Sequence, residues 1–133
     1  MRHRRNPNIN FISTNLLRKF RQSWKMLDAV GDWIERNADK KLGYIVRFNA
    51  NSLHRWTESV IDAQFSPNVK RRYVYIDIPK QEATFLAELH TFIETLQDIS
   101  VEMDMPDMTE KMLNASHSIV DQLGRAAFEH SGN

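Results

Sequence analysis

The chain has 133 residues, 41% of them hydrophobic and 26% charged, with a net charge of +1 and no cysteine. That size fits one domain with a real core, and the missing cysteines exclude disulfides, thiolate metal sites, iron–sulfur clusters and cysteine nucleophiles. No apolar run approaches the roughly 18 residues of a membrane span, and the basic first residues lack the apolar stretch of a secretory signal, so a cytoplasmic protein with no membrane span is expected.

Residues 1–10, MRHRRNPNIN, are basic, contain Pro7 and show no periodicity. They read as a flexible arm ahead of a single globular domain over 11–133. A helix is expected from about Ser13 to Asn37, because Leu16, Leu17, Phe20, Trp24, Leu27 and Ile34 recur at helical spacing with Gly31 in the stripe. Leu42-Gly43-Tyr44-Ile45-Val46-Arg47-Phe48 is rich in β-formers and reads as a first strand. A helix over roughly 51–65 follows, with Leu53, Trp56, Val60 and Ile61 on one face, until Ser66-Pro67-Asn68 breaks it. Arg72 to Ile78 reads as a second strand, with Val74, Ile76 and Ile78 turned inward and Tyr73, Tyr75 and Asp77 outward. Pro79 then opens a long helix, roughly Lys80 to Ile99, striped by Phe85, Leu89, Phe92, Leu96 and Ile99.

After a Met103–Pro106 loop, a last helix starts at Asp107, with Glu110 three residues on in the manner of a capping box. Its expected seam is Met108, Met112, Ala115, Ile119, Leu123 and Ala126. The resulting fold class is α+β and mostly helical, in the order α-β-α-β-α-α, with two short strands and a C-terminal antiparallel helical hairpin. Two strands make a poor sheet alone, so a homodimer that supplies further strands is expected.

The four glycines leave no Gly-rich phosphate loop, and neither Gly-x-Ser-x-Gly nor His-Glu-x-x-His occurs. His54-x3-Glu58-x3-Asp62 and His90-x3-Glu94-x3-Asp98 each place three hard-metal ligands on one helix face. The Glu-x-x-His of ferritin-like sites is absent, and both triplets read as solvated faces opposite the apolar stripes. No metal, cofactor or catalytic residue is therefore assigned, and a non-enzymatic protein is expected.

The net charge hides a gradient: +7 over residues 1–25, +2 over 26–81 and −8 over 82–133. Arg2, Arg4, Arg5, Arg18, Lys19, Arg21 and Lys25 form the candidate surface for nucleic acid or an acidic partner. The leading expectation is a small regulatory or accessory protein that associates with itself and with a protein partner. The alternative is nucleic-acid binding through the basic arm and first helix.

Two family resemblances bear on these readings. Residues 72–123 resemble a ribbon–helix–helix DNA-binding module in the order strand, Pro79, helix, helix. That resemblance implies a ribbon of one strand per subunit laid in the major groove, with Tyr73, Tyr75 and Asp77 toward the bases. The sequence departs from the family pattern where Met103-Asp104-Met105-Pro106 replaces the Gly-x-Ser turn. Arg125-Ala-Ala-Phe-Glu-His130 is similar to the Arg-x4-His motif of HEPN ribonucleases, which implies Arg125 on a phosphate and His130 in proton transfer. Both segments also read without function, as an ordinary core strand and as a chance match of a short motif near the end of the sequence, where fraying is expected.

Overall fold

The computed structural model describes residues 9–131, with no side chain described beyond Phe128. Strand β1 (Ile9–Ser13) leads into a short helix α1 (Thr14–Phe20), then α2 (Ser23–Asn37) and α3 (Lys40–Trp56), which continues as a π-helical turn over Thr57–Asp62. Strand β2 (Tyr73–Asp77) and helices α4 (Lys80–Ser100) and α5 (Asp107–Ser131) complete the described chain. The fold is mostly helical with two short strands, as expected, but the order of elements differs.

The expected strand over Leu42–Phe48 is helical and belongs to α3. Asp39 caps it, its side chain accepting the Leu42 N–H at 3.1 Å. Gly43, Val46, Ala50, Leu53 and Trp56 are buried at helical spacing, while Tyr44, Ile45 and Phe48 stay exposed. The β-formers are thus the outer face of a helix whose inner face packs on α2. Contact with α2 outweighs their weak local preference.

Two glycines set that contact. A Cβ on Gly43 would lie 2.3 Å from the Glu35 backbone nitrogen, and one on Gly31 would lie 2.6 Å from Arg47 Cγ. The antiparallel α2–α3 hairpin is therefore closer than side chains would allow. Arg47 clamps its rim, bonding Asp28 at 3.2 Å and Glu35 at 3.4 Å. The bond to Asp28, and then its charge, holds the Arg47 guanidinium above its ordinary pKa.

The first strand is instead β1, in a stretch assigned partly to the arm and partly to a helix. It pairs antiparallel with β2 in the register Ile9↔Asp77, Phe11↔Tyr75 and Ser13↔Tyr73. Asn10, Ile12, Val74 and Ile76 point inward and are buried. The long helix expected over 13–37 breaks at Arg21–Gln22, where the buried Ser23 hydroxyl donates to the Phe20 carbonyl at 2.7 Å.

Helices α4 and α5 do form the expected antiparallel hairpin. Gln97 meets Asn114 at one end and His90 meets Asp121 further along. The reversal holds Asp104 at φ 53°, a left-handed conformation that Asp tolerates better than most residues. Helix α5 packs on α4, α2, α1 and β1. Its buried line is Leu113, Ser116, Val120, Leu123 and Ala127; of the expected seam Leu123 lies on that line, Met112, Ala115, Ile119 and Ala126 are half-buried beside it, and Met108 is exposed. A helix covered from several sides buries a wide arc, so the apolar residues at one spacing do not mark its centre.

Among the described residues no helix is long and apolar enough to cross a membrane.

Candidate functional site

The outward face of the β1–β2 ribbon carries three large rings. Phe11, Tyr73 and Tyr75 remain 45%, 48% and 55% exposed. Phe11 sits 5.0 Å from Tyr73 and 4.8 Å from Tyr75 between ring centroids. Strand alternation places them: with Ile12, Val74 and Ile76 inside, the intervening side chains must point out. Phe11 and Tyr75 are directly opposed. The ladder bond from the Thr14 N–H to the Arg72 carbonyl, at 2.9 Å, makes their pair a non-hydrogen-bonded one, in which side chains lie closest.

The ribbon is held firmly. The Gln64 amide donates to the Asp77 carbonyl at 2.8 Å and accepts the Asp77 N–H at 2.7 Å. It therefore occupies the outer edge of β2 as a further strand would. Trp56 donates to the Glu82 carbonyl at 3.1 Å, tying the end of α3 to the start of α4.

At the Tyr73 end the aromatic row runs into a cavity of about 340 Å³ lined by Arg18, Lys70, Arg71 and Arg72, together with Ser13, Thr14, Asn15 and Tyr73. No acidic residue is among that lining. Arg18 is anchored there, its guanidinium donating to the Pro67 carbonyl at 3.2 Å and the Val69 carbonyl at 2.5 Å. Those partners are neutral, so its full positive charge remains.

The other expected cations disperse. Arg21 pairs with Asp62 at 2.6 Å, and Lys25 lies 5.9 Å from the Trp24 ring centroid. Lys19 is exposed on α1. Arg2, Arg4 and Arg5 lie outside the described residues, directly ahead of β1 in sequence. The proposed helix face thus contributes Arg18 to the ribbon site, while Phe11, Lys70, Arg71 and Arg72 were missed as site residues. The β-forming Ile9, Phe11 and Ile12 were the available signal for the strand that carries Phe11, though the buried Asn10 hides which face is inward.

No protein-family model, curated protein or solved structure matches the chain.

The two family resemblances change in the light of the geometry. The ribbon's second strand is the chain's own β1, not a strand from another subunit. Arg125 bonds Asp121 at 3.0 Å, and the His130 side chain lies outside the described residues.

The two polar triplets also part company. His54 stacks on Trp24 at 3.8 Å, and Asp62 is taken by Arg21. His90 and Glu94 instead face His117 and Asp121 of α5. The His117-x3-Asp121-x3-Arg125 spacing, the same period as on α4, was the signal for that meeting.

Proposed function

We propose that this chain binds single-stranded nucleic acid on the outward face of the β1–β2 ribbon. The observation that carries this reading is the continuity of Phe11, Tyr73 and Tyr75 with the acid-free cavity of Arg18, Lys70, Arg71 and Arg72. Exposed rings stack on unpaired bases irrespective of sequence, and adjacent cations track the phosphates. A duplex fits less well: of the three outward rings only the Tyr73 and Tyr75 hydroxyls offer a single hydrogen bond each to a base edge, whereas major-groove readout rests on bidentate side chains such as Arg, Asn and Gln.

The test is fluorescence-anisotropy titration with single- and double-stranded DNA and RNA over a range of salt. We expect the single strands to bind more tightly than duplex. Tyr73→Ala with Tyr75→Ala lowers affinity but leaves the salt slope unchanged, whereas Arg71→Gln with Arg72→Gln flattens the slope by about 0.7 for each phosphate that is no longer neutralised. Absence of binding at low salt overturns the proposal.

A second reading, self-association, is favoured by the exposed Tyr44, Ile45 and Phe48 on the outer face of α3. Adjacent apolar side chains in water mark contact surfaces. A dimer in sedimentation equilibrium that Phe48→Glu dissociates supports this reading, and a monomer at high concentration removes it.

A further inference from the structure

The α4–α5 hairpin brings together groups that neither helix presents alone. His90 Nδ1 lies 3.3 Å from Glu94 Oε1, and His117 Nε2 lies 3.8 Å from Glu94 Oε2. One ligand atom from each of these three residues falls within 4.8 Å of the other two. Around a tetrahedral zinc ion, with bonds of about 2.0–2.2 Å, neighbouring ligand atoms stand about 3.3–3.6 Å apart. The 3.3 and 3.8 Å separations, to the two different oxygens of Glu94, lie near that spacing, and the widest gap of the cluster, within 4.8 Å, would close by side-chain rotation on binding.

Ion pairing within the helices accounts for His90 and Glu94, but not for His117. Its Nε2 is buried and has no hydrogen-bond partner among the described residues. At 3.8 Å, Glu94 is within ion-pair reach but too far for a hydrogen bond. A buried ring nitrogen left unsatisfied is costly, and a cation bound between His117 and Glu94 would satisfy it.

The surrounding contacts match the outer shell of a metal site. The far nitrogen of His90, Nε2, lies 3.2 Å from Asp121 Oδ1, and Arg125 Nε bonds Asp121 Oδ2 at 3.0 Å. A ligating histidine commonly donates its other N–H to a carboxylate, which fixes the tautomer and raises the basicity of the ligating nitrogen. Here Asp121 holds His90 with Nδ1 turned toward Glu94, and Arg125 holds Asp121. This gives the Arg125–Asp121 pair a role apart from phosphate chemistry.

We propose that His90 Nδ1, a Glu94 carboxylate oxygen and His117 Nε2 bind one zinc-class divalent cation, with Asp121 and Arg125 orienting His90. Two imidazoles and one carboxylate suit Zn²⁺ and neighbouring transition metals rather than Mg²⁺ or Ca²⁺, which prefer all-oxygen shells. Three protein ligands leave a position for water. The ion would cross-link α4 to α5 and stabilise the hairpin on which the ribbon packs.

The test is isothermal titration of the full chain with Zn²⁺ and with Mg²⁺ in a non-chelating buffer, paired with thermal unfolding. We expect one equivalent of Zn²⁺, a raised unfolding temperature and no response to Mg²⁺. Glu94→Gln, at a half-exposed position that leaves folding intact, and His117→Ala should each abolish the one-equivalent binding. Asp121→Asn should weaken it about 10-fold or more without abolishing it. His54→Ala serves as a control and should leave the Zn²⁺ stoichiometry and affinity unchanged, whatever the loss of its stacking on Trp24 does to the unfolding temperature. Co²⁺ bound at the same stoichiometry should show the intense visible bands of a four-coordinate site. Absence of Zn²⁺ binding overturns the proposal, as does binding that survives Glu94→Gln, since the ion would then sit elsewhere. Should His117→Ala fail to fold, Glu94→Gln decides.

Discussion

Replacing Gly43 with Ala tests the least expected part of the fold, the packing of α3 on α2. In an open helix the change stabilises by about 1 kcal/mol, because Ala is the better helix former. At Gly43 the new Cβ would lie 2.3 Å from Glu35 N and 2.4 Å from Glu35 Cα. Backbone atoms cannot rotate aside, so the helices must separate. Overpacking of this kind costs about 1–3 kcal/mol, and the upper end applies here, leaving a net loss of about 2 kcal/mol after the propensity gain.

Gly31 and Gly124 provide internal comparisons. At Gly31 the nearest atom is Arg47 Cγ at 2.6 Å, on a flexible stem, so Gly31→Ala should cost less. At Gly124 the nearest atom is Leu86 Cβ at 4.0 Å, an ordinary contact, so Gly124→Ala should keep the gain of about 1 kcal/mol. Urea unfolding followed by far-ultraviolet circular dichroism would then rank the chains Gly124→Ala, wild type, Gly31→Ala, Gly43→Ala, with a common m-value. A Gly43→Ala chain as stable as wild type would refute the close α2–α3 packing and reopen the strand expected over Leu42–Phe48.

Other expectations follow from single contacts. Gln64→Ala removes both bonds at the β2 edge and should cost about 1–2 kcal/mol. The loss should appear as faster amide exchange at Asp77, and unchanged exchange there would contradict the bracing role. Trp56→Phe removes the bond to the Glu82 carbonyl and should lower stability by about 1 kcal/mol in the same urea assay. The raised pKa of Arg47 contributes stability that is complete below its unfolded value and is lost only as pH rises through the folded value, both strongly alkaline. The stability difference between wild type and Arg47→Met should therefore stay flat from about pH 6 to about pH 9, and a steep change across that window would assign the clamp to another group.

The sequence by itself determined the parts whose local signals agree. The alternation of Val74, Ile76 and Ile78 with Tyr73 and Tyr75 fixed β2 and its two faces, and Pro79 marked the start of α4. The periodicity after Asp107 gave α5, hence the hairpin. The alternation in β2 also showed that Tyr73 and Tyr75 point outward, two of the three rings of the candidate site. Tertiary structure decided the rest, where local preference is weak and a partner element settles the outcome. Tyr44-Ile45-Val46 prefers extended backbone, yet Gly31 and Gly43 admit a helix–helix contact that buries Val46 and Ala50. Phe11 joins the aromatic row only because β1 pairs with β2 across more than sixty residues. His117 meets Glu94 only because the hairpin closes in one register. Contacts between residues distant in sequence leave no trace in the periodicity of either segment, so three-dimensional packing alone could place these residues together.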